Sequence, residues 1–111
     1  MAESISIQDF SRVDLRVGRI TDVQDHPNAD KLYVLQCDLG PDLGARQLVA
    51  GLKAHMPPDA LRDKLVVVVT NLEPATLRGQ KSEGMLLATQ DGDKVVCLTV
   101  AEPVAPGSKI L

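Results

Sequence analysis

Between Val13 and Val23 the apolar residues alternate at Val13, Leu15 and Val17, then change phase to Ile20 and Val23, with Gly18 and Arg19 at the slip. Alternation with a period of two marks a strand that buries one face, and a one-residue slip turns its side chains over unless the backbone absorbs it. A glycine bulge absorbs such a slip, so the segment reads as a long first strand bent at Gly18. A small closed barrel needs a long bent strand of this kind, because the strand must pair with partners in both halves of the wall.

The rest of the chain fits that demand. His26-Pro-Asn-Ala-Asp-Lys31 concentrates turn formers and reads as a loop. Leu32 to Leu39 places Tyr33, Leu35, Cys37 and Leu39 on one face, residues 40–44 turn the chain, and Gln47 to Leu52 is a third strand. Pro57 and Pro58 precede Asp59-Ala-Leu-Arg-Asp63, a proline and an acid placed to open one short helix. Leu65 to Leu72 begins with five continuous aliphatic residues and reads as a strand buried on both faces. Residues 73–83 read as a polar loop. Met85 to Thr89 and Val95 to Thr99 are further strands joined through Asp91-Gly92, and the tail from Pro103 is extended. Three strands, a helix and two or three more strands predict an all-β OB-fold barrel of five to six strands, filling residues 1–111 as a single domain.

Composition narrows the function. Hydrophobic residues are 44% and charged residues 24%, as in a packed domain, but aromatic residues are only 2%, Phe10 and Tyr33. An aliphatic core suits a barrel, while stacking of bases on several rings is excluded. A net charge of −3 excludes a uniformly basic coat, so any nucleic-acid site must be a local cationic patch. The longest aliphatic run, Leu65 to Val69, is far too short to cross a bilayer, and the first ten residues carry acids rather than an export signal. Cys37 and Cys97 stand alone in apolar runs and read as buried free thiols. With no CxxC or HxxxH spacing, neither a metal nor a cofactor is expected.

OB barrels bind through one sheet face and the loops at its rim. Two loops here carry suitable groups: residues 26–31 with Asn28 and Lys31, and residues 74–84 with Arg78, Lys81 and Ser82, followed by Met85. Lys31, Arg78 and Lys81 suit phosphates, Asn28 and Ser82 offer neutral hydrogen bonds, and Met85 offers an adaptable surface to a base. Each also has an ordinary reading as a solvated cation, a turn residue or a core residue. Residues 79–84, GQKSEG, lack the GK pair of a phosphate loop, and no nucleophile and base are paired, so catalysis is not expected.

Four segments, DLRVGRI at 14–20, HPNADKL at 26–32, LRGQKSEGMLL at 77–87 and PVAPGSKI at 103–110, resemble the tRNA-binding domain family in order and spacing. The resemblance covers the chain from about residue 8 onward. That family includes free-standing bacterial tRNA-binding proteins and the C-terminal appendage of methionyl-tRNA synthetases. It implies an OB barrel whose terminal extensions form a homodimer, and a partner, tRNA, bound by shape with little sequence preference. It ties Lys31, Ser82 and Met85 to tRNA, with Asn28 and Arg78 beside them; a cytoplasmic protein is expected, with an aminoacyl-tRNA synthetase as a further candidate partner. Ala105 departs from the proline common among relatives, which loosens the tail. The alternating Ile5 and Ile7 at one end and Val104, Ile110 and Leu111 at the other exceed what a small barrel covers, an independent reason to expect a dimer. An export-related chaperone shares the fold and part of the SE segment and is the competing expectation, although HPNADKL is intact here.

Overall fold

The computed structural model describes residues 2–111. Strand β1 (Leu15–Asp25) is the spine. Its first half, Leu15 to Arg19, pairs antiparallel with β4 (Leu65–Val69), and its second half, Arg19 to Asp25, with β2 (Tyr33–Asp38). With β3 (Ala45–Ala50) beyond β2 and the short β7 (Met85–Leu86) beyond β4, the sheet order is β3-β2-β1-β4-β7. The chain is an OB-like, nearly closed barrel, as the strand order implied.

The bend lies elsewhere than expected. Gly18 pairs regularly with Val66, and the extra residue is Thr21, between the Ile20–Cys37 and Asp22–Gln36 pairs. The glycine at 18 answers a different need. A Cβ there would lie 2.4 Å from Cys37 Sγ and 2.8 Å from Leu39 Cδ2, so only a bare backbone lets β1 press onto the core side of β2.

The core is aliphatic. Ile20, Leu35, Leu39, Leu48, Val66 and Val68 are wholly buried, and the one ring among them, Tyr33, donates its hydroxyl to Met56 O at 2.8 Å. Val67 and Val69, cross-strand from Val17 and Leu15, are buried on the opposite face, which accounts for the unbroken apolar run. The expected helix is α3 (Pro58–Leu61), whose Leu61 is fully buried in the core. Backbone bonds from Asp63 N–H to Ile20 O (2.7 Å) and from Ile20 N–H to Lys64 O (3.0 Å) fasten it to β1. Each such buried aliphatic side chain stabilises the barrel by about 1.5–3 kcal/mol.

Two local readings need correction. Residues 73–83 are no plain loop but a hairpin of β5 (Ala75–Leu77) and β6 (Gln80–Ser82). Its two turn residues, Arg78 and Gly79, have φ of 53° and 89°, the double positive φ of a I′ turn, which an Arg-Gly pair signals less plainly than Asn-Gly. The region around Ile5 and Ile7 is not strand-like: Ile7–Phe10 forms one helical turn, α1, because the Ser6 hydroxyl caps it by accepting from Asp9 N–H at 3.0 Å. Residues 40–44, read as a turn, make it through one helical turn, α2 (Gly40–Leu43).

The hairpin expected about Asp91-Gly92 is present, but the single strand expected over Met85 to Thr89 is split: β7 pairs with β4, and β8 (Ala88–Asp91) pairs with β9 (Lys94–Cys97). The tail uses the edge of β1 that β2 leaves unpaired: Gly107 N–H donates to Val17 O (2.7 Å), Val17 N–H to Ser108 O (2.9 Å) and Ile110 N–H to Leu15 O (2.9 Å). Ile7, Phe10, Val13, Ile110 and Leu111 remain exposed around this junction. Among the described residues no helix is long and apolar enough to cross a membrane.

Candidate nucleic-acid interface

The loop after β1 is organised by His26, which is buried although its neighbours Pro27 and Asn28 are exposed. Its Nδ1 accepts from Asn28 N–H at 2.9 Å, which leaves the proton on Nε2, and Nε2 donates to Leu77 O at 2.8 Å. One imidazole therefore shapes the 26–31 loop and ties it to the tip of the β5–β6 hairpin. The two loops singled out in the sequence are joined in space, and the joint is a residue that sequence reasoning gave no role. Its signal was present in HPNADKL: a histidine opening a turn-rich loop has both ring nitrogens available to bond backbone.

Asn28 and Lys31 are exposed on this loop, and Arg78 and Lys81 are exposed on the hairpin. Among the described residues Lys31, Arg78 and Lys81 form no ion pair. Arg78 holds the left-handed conformation that glycine adopts without cost, at a penalty of about 1 kcal/mol. Lys81 pairs with Thr76 across the hairpin.

Ser82 behaves differently from the exposed donor read from the sequence. It is 5% exposed, and its hydroxyl accepts from Val49 N–H (3.0 Å) and donates to Gly84 O (2.9 Å). The hydroxyl is spent on pinning β6 to the edge of β3. Gln47 works beside it, donating from Nε2 to Lys81 O at 2.8 Å and accepting Glu83 N–H on its backbone O at 2.8 Å. Arg46 Nη1 adds a bond to Thr70 O at 2.6 Å. No sequence signal marked Gln47 or Arg46, because their partners lie more than twenty residues away. Met85 is 47% exposed and sits with Leu72, Leu77, Leu86 and Val95 on the wall of an apolar cleft of about 420 Å³ between the hairpin and β3.

Neither thiol is a nucleophile in waiting. Burial pushes Cys37 up to about 12, and burial also raises Cys97, which is half-buried rather than fully enclosed as expected.

A family model described as "Putative tRNA binding domain" matches residues 15–109. The chain belongs to the tRNA-binding domain family. It is 53% identical to a methionine–tRNA ligase of Pyrococcus furiosus over 106 residues, which is 96% of this chain and 14% of that protein. The chain thus spans about one-seventh of the length of the relatives it matches in this way. Among solved structures, the MetRS-related protein from Pyrococcus horikoshii superposes with a TM-score of 0.90 at 29% identity, covering 99% of this chain and all of the other. The CsaA chaperone protein from Picrophilus torridus superposes with a TM-score of 0.90 at 33% identity, covering 97% and 100%. The clasp made by His26 joins the segment that carries Lys31 to the one that carries Arg78 and Lys81.

Proposed function

We propose that this chain binds tRNA by shape, with little sequence preference, and catalyses nothing by itself. The observation that carries the reading is the His26–Leu77 hydrogen bond, which joins the Lys31 loop to the Arg78–Lys81 hairpin. In this reading Lys31, Arg78 and Lys81 contact phosphates, Asn28 hydrogen-bonds ribose or phosphate oxygens, and Met85 lies against a base. Ser82 belongs to the site as the residue that sets the hairpin's position.

Three phosphate contacts give a log–log salt slope of about −2.7, a fall of about 40-fold in affinity between 50 and 200 mM salt. Gel shift with total tRNA tests this. Lys31→Ala should weaken all tRNAs alike, and selective loss for one tRNA would contradict recognition by shape.

The chain acts as a single domain over residues 1–111, in the cytoplasm, as a homodimer through the exposed Ile7, Phe10, Val13, Ile110 and Leu111. Only monomer in sedimentation at micromolar concentration would refute the dimer. The relatives named as methionine–tRNA ligases make a synthetase a natural partner, with this module holding the tRNA that the enzyme charges. A second reading, a chaperone for exported proteins, is favoured by the apolar cleft beside Met85, which could take an aliphatic side chain of an extended peptide. Binding of an unfolded peptide with affinity equal to that for tRNA would promote it.

A further inference from the structure

The outer face of the sheet carries a feature that the cationic rim does not explain. Strand register sets Asp22 opposite Gln36 and Gln36 opposite Gln47, so the three form one row across β1, β2 and β3. Gln80 of the hairpin continues the row, with its Oε1 3.4 Å from Gln47 Nε2, and Gln36 Nε2 lies 3.5 Å from Gln47 Oε1. Gln24 lies one row along and donates to Asp22 Oδ2 at 3.0 Å. Together with Pro27 and Val34 these side chains line a groove of about 280 Å³.

Its floor is carboxamide and carboxylate, and among the described residues that line it none is cationic. Asp25, at its edge, is paired with Lys53 at 3.3 Å, so Asp22 is the acid left facing the groove. Phosphate is repelled from such a floor, whereas a neutral group that both donates and accepts is matched by it. On the side of the His26 clasp the groove meets the two cation-bearing segments. Pro27 belongs to the loop that carries Lys31, and Gln80 stands between Arg78 and Lys81. A strip of neutral amides beside cation-bearing segments suits the minor groove of A-form RNA, where phosphate backbones border a wide, shallow strip of 2′-hydroxyls.

We infer that this glutamine-lined groove reads ribose 2′-hydroxyls, so that the domain distinguishes RNA from 2′-modified or deoxy strands of similar shape. The inference rests on the tRNA-binding reading and names the part of the ligand that this face takes. Gln24 and Gln36 are the readers: Gln47 is engaged in holding the hairpin, whereas the amides of Gln24 and Gln36 are bonded only to side chains of the groove itself, Asp22 Oδ2 and Gln47 Oε1.

The experiment compares two transcripts of one tRNA, one with natural ribose and one with 2′-fluoro pyrimidines, which keeps the A-form sugar pucker but removes the hydroxyl donor. Wild-type protein should bind the natural transcript about five- to tenfold more tightly, the loss expected for one net hydrogen bond. Gln36→Leu and Gln24→Ala should each bring the natural transcript toward the affinity of the fluorinated one while barely changing the latter. Gln24 is exposed, so its variant reports even if Gln36→Leu disturbs folding. Equal affinity of wild type for both transcripts, or equal weakening of both by the variants, overturns this inference and leaves tRNA binding intact. Wild type that binds neither transcript overturns the tRNA reading itself, and this one with it.

Discussion

Replacing His26 with Leu removes both ring nitrogens from a site where they bond two backbone groups, Asn28 N–H and Leu77 O. A net hydrogen bond contributes about 0.5–1.5 kcal/mol, and orphaned partners raise the loss. Leu77 lies on an exposed strand and its carbonyl can recruit water, so the low end applies there, and the total comes to roughly 1–2.5 kcal/mol. None of this touches Leu35, Leu48, Leu61 or Val66, so the cost falls on the docking of the hairpin rather than on the barrel core. If tRNA needs the docked rim, affinity falls as the docked fraction falls, by at most the same free energy, about 5- to 70-fold where the hairpin becomes mostly undocked. Filter binding gives the affinity, and hydrogen exchange at the β5–β6 amides shows whether the hairpin has loosened. His26→Gln, which can still donate to Leu77 O, should recover part of both. Unchanged affinity despite faster exchange of the hairpin amides would refute the claim that the clasp preorganises the site.

Other consequences are sharp enough to measure. Gly18→Ala drives a methyl to 2.4 Å from Cys37 Sγ, and should cost about 3 kcal/mol in urea unfolding; Cys37→Ala in the same chain should return part of it, whereas additivity would refute the clash. Arg78→Gly relieves the positive φ and leaves the melting temperature equal or higher, yet lowers the magnitude of the salt slope by about 1; a fall in stability would refute the strain argument. The Thr70 hydroxyl, donating at 2.7 Å, and the Arg16 guanidinium hold the Asp14 carboxyl below the usual aspartate value of 3.8, against the opposing effect of its burial. Because the folded value is depressed, Asp14 stabilises the fold above about pH 3.8, and that contribution disappears as pH falls through the folded value. Asp14→Asn should therefore flatten the acid side of a plot of denaturation midpoint against pH, and an unchanged slope below pH 4 would refute the assignment.

What the sequence made legible was whatever a period of two or a local turn chemistry can encode. Tyr33, Leu35, Cys37 and Leu39 fall on the buried face as their alternation demands, and Pro57-Pro58 opens the short helix that plugs the barrel with Leu61. Gly18 misled because two requirements ask for the same residue: a bulge and a close approach both favour glycine, and only the position of the β2 side chains tells them apart. The β5–β6 hairpin was missed for a related reason, since an arginine at positive φ contradicts local propensity and is held there by contacts distant in sequence. His26 and Gln47 show the limit most clearly. Their partners, Leu77 O and Lys81 O, are backbone atoms, and no residue identity at 77 or 81 announces them.

The seam between β3 and the hairpin is closed by one backbone bond, Glu83 N–H to Gln47 O, and by side chains reaching backbone, Ser82 Oγ with Val49 N–H and Gln47 Nε2 with Lys81 O. Closure of the barrel and placement of the cationic rim are therefore the same contacts. Ser82→Ala leaves Val49 N–H unpaired at a half-buried position and should cost about 1–2 kcal/mol of stability. It should also weaken tRNA binding, but without changing the salt slope, because no cation is lost. Lys81→Ala should do the reverse, lowering the magnitude of the slope by about 1 while leaving the melting temperature within a degree or two. A reduced slope for Ser82→Ala would mean that the hydroxyl leaves its internal partners to meet a phosphate, and the division between residues that hold the rim and residues that touch the RNA would then fail.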